Sequence, residues 1–311
     1  YTDFRISGIN AEADGPTVEV SAVIRNTGKF AGKETLQVYV SCPKGRFDRE
    51  QKSLAGFAKT DELAPGQEQH LSVSFDLRDH AAYDEKTASY VLEKGGYVVM
   101  AGSNSNDVSP AAVVKLGSDF TVLKAGRLFG GADFSDLRSP GTRVFDLSGV
   151  PVYEADLSQW EPYKMSAPET PDAGPVADLT EKELALMNIG DFQDRGTSLA
   201  AVIGQSAQSV AGAAGESCTK LKDKGIQNLI MADGPAGVRI SRRYYEDSKG
   251  RHAIGSTMPE TMLEMLPTVL KMILDREPKA KPGRVFKEQY CTAIPIATAI
   301  AQSWNTAFAE L

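Results

Sequence analysis

Cysteine and histidine are scarce in this 311-residue chain. Cys42, Cys218 and Cys291 lie far apart and are odd in number, which argues against a disulfide framework and against a zinc site of closely spaced ligands. His70, His80 and His252 are likewise unclustered, so no metal site and no cofactor are expected. Long apolar runs are missing too. The longest, such as Ala293 to Ala301 with its internal Pro295, stay well short of the ~20 residues a membrane helix needs, and no signal-peptide pattern opens the chain. A membrane partner is therefore not expected, and the location read from the sequence is cytoplasmic. An excess of positive charge is also lacking: 34 lysines and arginines stand against 41 aspartates and glutamates, a net charge of −7. That balance speaks against nucleic acid as a partner. Finally, Tyr1 stands where an initiator methionine is expected, which implies a native start further upstream.

What is present is enough apolar material, 41% of the residues, to build about two domains of roughly 100–200 residues each. From Tyr1 to about Leu116 short alternating segments are separated by turn residues. Val18, Val20, Ala22 and Ile24 form one inward row, and Asn26-Thr27-Gly28 closes that strand. Leu36, Val38 and Val40 begin another row, and Leu63-Ala64-Pro65-Gly66-Gln67 reads as a turn in which Gly66 supplies a left-handed conformation. Leu71, Val73 and Phe75, then Tyr97 to Met100 after Gly95-Gly96, then Ala112 to Leu116 complete about seven strands. This pattern predicts an immunoglobulin-like or fibronectin type III-like β-sandwich over residues 1–116.

Residues 117–178 carry many of the prolines, Pro140, Pro151, Pro162, Pro168, Pro171 and Pro175 among them, and no sustained period. They read as an extended linker. Its apolar anchors (Phe120, Leu123, Leu128, Phe129, Phe134, Leu137, Tyr153, Leu157 and Trp160) predict a segment that lies against the domains it joins. A connection of this length without its own core is uncommon.

Helical signals begin at Asp178. Thr180 is a candidate N-cap with Glu183 placed to complete a capping box, and Leu184, Leu186 and Met187 supply an apolar stripe. Glu216 to Lys224 reads as a second amphipathic helix stopped by Gly225, and Leu229 to Ala232 as a short buried strand that ends in Asp233-Gly234-Pro235. Helix, glycine stop, buried strand and polar turn is the order of an α/β unit, whose functional groups sit at strand C-terminal ends. Met258 to Leu274, broken by Pro267, predicts a further helix, Lys279 to Gly283 a basic turn, and Thr292 to Ala301 a second buried strand or strand-plus-turn.

Asp233 is the carboxylate to single out, because a strand end would present it at the mouth of a barrel while Gly234 and Gly237 let the backbone turn closely beneath a ligand. Arg239, six residues on, can pair with it or donate to the same ligand. A carboxylate that accepts two hydroxyl protons, backed by a guanidinium that keeps it ionised, can hold a sugar ring. The alternative is an Asx-type turn residue that opens the Gly-Pro turn. Both readings stand at this level.

The run Ala211-Gly212-Ala213-Ala214-Gly215-Glu216, then Gly225-Ile226, then Leu229-Ile230-Met231-Ala232-Asp233-Gly234-Pro235-Ala236-Gly237-Val238-Arg239, resembles the N-terminal barrel of family 3 glycoside hydrolases, chiefly β-glucosidases. Thr292-Ala293-Ile294-Pro295 followed by Ser303-Trp304-Asn305 is similar to the same barrel. The opening sandwich resembles the fibronectin type III-like domain of those enzymes through Val23 to Gly28, Leu54-Ala55-Gly56-Phe57, Leu63 to Gly66, Tyr83-Asp84 and Gly95-Gly96-Tyr97. The resemblance implies a multidomain β plus α/β protein: the sandwich at 1–116, the linker at 117–178, and at 179–311 the first part of a (β/α)8 TIM-type barrel. The sandwich precedes the barrel, as in family members with permuted domain order, and an α/β sandwich is then expected ahead of Tyr1.

The resemblance also implies the activity: a retaining β-glucosidase that hydrolyses terminal β-D-glucosyl residues, with a β-glucoside or oligosaccharide as substrate. Asp233 matches the carboxylate that binds sugar hydroxyls in the −1 subsite, and Arg239 an arginine that lines the same region. The aspartate nucleophile and the acid/base glutamate have no counterpart in this chain, so no catalytic residue is nominated. A complete barrel takes about 250 residues, of which 179–311 supply about half. The missing barrel and α/β sandwich segments are expected elsewhere in the same protein, and the chain alone is expected to be inactive. Two alternatives accompany this reading, a β-xylosidase-type enzyme and a non-catalytic carbohydrate-binding or scaffolding protein. Ser241 to Tyr290, with Arg242, Arg243, Tyr244 and Tyr245, is longer than a simple barrel loop and reads as a solvated insertion or as a flap over the sugar site.

Overall fold

The computed structural model describes residues 1–126, 144–165, 174–189, 209–234, 236–248, 250–255, 264–268, 271 and 278–310. The chain divides into two units, Tyr1–Pro168 with Trp304–Leu311, and Glu169–Ser303. Among the sequence readings, those on Leu128, Phe129, Phe134, Leu137, Pro140, Pro168, Pro171 and Pro235, and on most of Met258 to Leu274, lie outside the described residues.

In the first unit the alternating rows become strands β1 (Phe4–Asp14), β2 (Thr17–Asn26), β3 (Thr35–Ser41), β4 (Ser53–Lys59), β5 (Glu68–Asp76), β6 (Ala82–Asp84), β7 (Ser89–Leu92), β8 (Gly95–Asn104), β9 (Asp107–Leu116) and β10 (Phe120–Lys124). One sheet runs β1-β2-β5, and the other contains β9-β8-β3-β4, all antiparallel. The inward rows meet between them: Val18, Val20, Ile24, Leu36, Val38, Val40, Val99 and Val114 are almost wholly buried. Asn26, fully buried at the end of β2, donates to the carbonyls of Phe30 (2.7 Å) and Leu63 (2.8 Å) and accepts from Thr2 and Gly28 (both 3.0 Å). Its side chain thus ties two loops to the strand end without leaving a buried polar atom unpaired.

Chain beyond Leu116 contributes to the same sandwich. β10 joins β7 and β6 in a small sheet, and β11 (Val152–Glu154) adds to the second sheet beside β9, in parallel. Val122 and Trp160 enter the core, where Trp160 meets Phe120 edge to face at 5.5 Å, and the Tyr153 hydroxyl donates to the Ala11 carbonyl at 2.8 Å. Every residue of β3 is buried, because the outer face of its sheet is covered as well: Phe145 and Val150 pack on Tyr39, Val98, Met100 and Val113.

In the second unit α1 (Glu181–Ile189) starts as the capping box predicts: the Thr180 amide and hydroxyl donate to the Glu183 carboxylate at 2.9 and 2.8 Å. The segment after it departs from the α/β expectation. Glu216 belongs not to a helix but to the two-residue strand β12 (Gly215–Glu216), which pairs antiparallel with β13 (Ile230–Met231), and between them Thr219–Lys224 is a 3-10 helix. The buried Glu216 carboxylate explains the early extended start. It accepts from the Ser209 amide (3.3 Å) and from Asn228 (2.8 Å), which pins it against the chain that returns as β13. Gly225 does stop the helix, in the left-handed conformation at φ 79°. The strand expected to be buried is exposed at Leu229, Ile230 and Met231, since a two-residue ladder with one neighbour covers neither face.

Three more strands, β14 (Arg243–Asp247), β15 (Gly250–Ile254) and β16 (Val285–Glu288), form an antiparallel sheet in the order β15-β14-β16. At Thr292 to Ala301 the expected strand is replaced by one bridge at Ala293 and helix α2 (Ala297–Gln302). The alanines of Ala297-Thr-Ala-Ile-Ala-Gln favour helix once Pro295 is past. Among the described residues of this unit the strand pairings are antiparallel, and the parallel strands of a barrel are not formed.

Candidate functional site

After β13, Asp233 and Arg239 are brought side by side. They form a β-bridge in which the Arg239 amide donates to the Asp233 carbonyl at 2.6 Å, and the same pair meets through its side chains, Nη1 to Oδ2, at 3.0 Å. The other carboxylate oxygen of Asp233 accepts from the Gly234 amide at 3.1 Å. Asp233 is therefore both a turn residue and the partner of a guanidinium. More than half of its side chain and a third of that of Arg239 face solvent, so the carboxylate keeps lone pairs for hydroxyl donors.

Gly237 makes the close approach possible. At φ 97° it bridges to Ala293, and a Cβ there would lie 2.4 Å from the Thr292 carbonyl oxygen. Ile294 donates to the Ala236 carbonyl at 3.2 Å, so the loop that carries Arg239 and the segment 289–294 are stitched side by side. A cleft of about 290 Å3 lies between them, lined by Gly237, Arg239, Arg242, Gln289, Tyr290 and Cys291 among others. Its wall is firm where Gln289 donates from one amide nitrogen to the carbonyls of Ala211 (3.0 Å) and Ser241 (2.7 Å).

Beyond the cleft, the stretch 241–290 carries its own aromatic cluster on the β14-β15-β16 sheet. Tyr245 stacks on His252 at 4.7 Å, Phe286 lies 5.9 Å from the Tyr245 ring, and the Arg284 guanidinium sits 4.5 Å above it. His252 also meets Asp247 at 2.9 Å. The Glu246 carboxylate is held below its ordinary range by Lys287 and then by Arg251.

Of the residues singled out from sequence, the structure brings Asp233, Gly237 and Arg239 together. It adds Tyr290 and Gln289, which sequence reasoning missed. Their signal was position: they immediately precede the Thr292-Ala293-Ile294-Pro295 run. Glu216 was also missed as a buried carboxylate, since nothing in its spacing announces Asn228 as its partner. Among the described residues no group of three metal-ligating side chains comes together.

Among the comparisons with known proteins, the fibronectin type III-like domain family matches residues 34–105. β-glucosidase A of Butyrivibrio fibrisolvens is 37% identical over 94 residues, which are 29% of this chain and 11% of that protein. An exo-α-(1→6)-L-arabinopyranosidase of Bifidobacterium breve is 32% identical over 120 residues, 38% of this chain and 16% of that protein. The crystal structure of a β-glucosidase from Paenibacillus barengoltzii superposes with a TM-score of 0.53 at 25% identity, and the match covers 88% of this chain and 33% of that one. The chain thus spans a small part of the curated relatives and a third of the solved one. Its resemblance to the β-glucosidases of glycoside hydrolase family 3 is borne out by these matches.

Proposed function

We propose that this chain is part of a retaining β-glucosidase with permuted domain order, in which residues 1–116 form the fibronectin type III-like sandwich, 117–178 a linker whose strands β10 and β11 and Trp160 pack into that sandwich, and 179–311 the first part of the catalytic barrel. The substrate is a β-glucoside or oligosaccharide with a terminal non-reducing glucosyl residue. The nucleophile and the acid/base lie in segments outside 1–311, with which this chain assembles. What supports the reading best is the Asp233–Arg239 pair, a solvent-facing carboxylate held on a glycine-built turn by a guanidinium at 3.0 Å. Such a carboxylate accepts two ring hydroxyls and holds them more tightly as the ring flattens toward an oxocarbenium-like transition state. The Paenibacillus match, which runs through 88% of the chain, supports the glucosidase reading. A cytoplasmic location accompanies this reading.

The test uses the complete gene product and aryl β-glucosides. Asp233→Ala lowers kcat/KM by about a hundredfold, the scale of lost transition-state hydrogen bonds. An unchanged value removes Asp233 from the site. The similarity to an arabinopyranosidase favours one second reading, a pyranosidase with another glycone. A panel of nitrophenyl glycosides that includes α-L-arabinopyranoside and β-D-xyloside separates the two.

A further inference from the structure

The cleft beside Asp233 is richer in cationic donors than a neutral sugar requires. Arg239 and Arg242 both line it. Arg239 spends Nη1 on Asp233, and among the described residues the Arg242 guanidinium makes a single hydrogen bond, from Nη2 to the Tyr290 hydroxyl at 3.5 Å, while lying 5.2 Å from that ring's centroid. The Glu288 carboxylate, the acid beside this group, accepts a hydrogen bond from the Tyr290 hydroxyl and attracts the Arg242 guanidinium. A guanidinium carries five N–H donors in a rigid fork, so most of those on the two arginines remain for a ligand. Gln289 adds no competing donor, because its amide nitrogen is committed to two backbone carbonyls. Two guanidinium groups line one cleft, Arg239 paired with Asp233 and Arg242 set over the Tyr290 ring with the Glu288 carboxylate near it, and their remaining N–H forks fit a planar anion held through paired N–H bonds.

We propose that this cleft is an anion-binding subsite that takes an acidic group, a carboxylate above all, carried by the part of the glycoside beyond the sugar ring held at Asp233. Arg242 is its specificity-determining residue, and Tyr290 the aromatic neighbour that meets its guanidinium. The assignment of the neighbouring position to a sugar rests on the glucosidase reading; the anion site itself does not.

Two arms test it. In the complete gene product, the ratio of kcat/KM for 4-carboxyphenyl β-D-glucoside to that for its methyl ester is compared between the native enzyme and Arg242→Gln. Since the intrinsic difference between leaving groups cancels, the ratio is expected to fall about tenfold, as for one lost charge-assisted contact, and to recover in part in Arg242→Lys. In the chain of residues 1–311, calorimetry with 4-hydroxybenzoate is expected to detect binding that weakens about tenfold in Arg242→Gln and fades as ionic strength rises. A ratio that Arg242→Gln leaves unchanged, with no Arg242-dependent binding of 4-hydroxybenzoate, overturns the subsite while leaving the glucosidase reading intact. Inorganic phosphate that binds as tightly as the benzoate makes this a site for a free anion and overturns the link to the glycoside. Arg242-dependent benzoate binding without hydrolysis of either glucoside overturns the glucosidase reading and keeps the anion site.

Discussion

His80 is buried against the Phe75 ring, 5.9 Å edge to face, with its Nδ1 3.0 Å from the Ser53 hydroxyl. Burial pushes its pKa below the ordinary value of 6.5, and the nearby Arg49 guanidinium, which donates to the His80 carbonyl at 2.9 Å, pushes the same way against weaker opposition from Asp79 and Glu50. The unfolded chain therefore takes up a proton at a pH where the folded one does not. Stability contributed by the neutral ring is complete above about 6.5 and is lost as the pH falls from there toward the lower folded value. Urea midpoints of the sandwich between pH 7.5 and 5.5 are expected to decline, and His80→Gln, which keeps a polar group at Ser53, flattens that slope. An equal slope in the variant assigns the acid sensitivity to another group.

The element that tests local reasoning best is α1. Its start is written in Thr180 and Glu183, and the structure returns both halves of the capping box, the Thr180 amide and hydroxyl donating to the Glu183 carboxylate and the Glu183 amide to the Thr180 hydroxyl oxygen at 3.4 Å, with a 2.7 Å ion pair from Lys224 to Glu183 added. The Lys224 contact, then the two Thr180 hydrogen bonds, bring the Glu183 pKa down from 4.5 to about 2. This support for the helix is thus present above pH 4.5 and lost as the pH falls toward 2. Thr180→Ala costs about 1 kcal/mol at the helix start, so amide exchange within Leu184 to Ile189 is expected to quicken about fivefold at pH 7. The β12-β13 pair teaches the opposite lesson. Its apolar run is a strand, but its exposure and antiparallel partner follow from which chain lies next to it, which local pattern does not contain.

At the scale of the whole chain, the sandwich recruits residues far past its last sequence-read strand, and Trp160 is the clearest case. It is 5% exposed, yet its indole N–H meets no acceptor among the described residues. Its contribution is therefore packing. Trp160→Ala is expected to destabilise the sandwich by about 3 kcal/mol, whereas Trp160→Phe, which removes the unpartnered N–H, costs well under half of that. Chemical denaturation followed by far-ultraviolet circular dichroism checks both. Equal losses in the two variants point to a role for the indole nitrogen.

By itself the sequence determined the inward rows of the sandwich, the turn at Gly66, the capping box and the Asp233 to Arg239 motif. All rest on period-two alternation, on φ preferences or on contacts within about six residues, and such signals need no neighbour from elsewhere in the chain. Tertiary structure alone decided that Trp160 joins the core, that Glu216 leaves its helix for Asn228, that Thr292 to Ala301 becomes bridge and helix, and that Arg242 shares a cleft with Tyr290. Each of these depends on which distant segment arrives beside the residue, and burial, pairing and field strength are properties of that arrival.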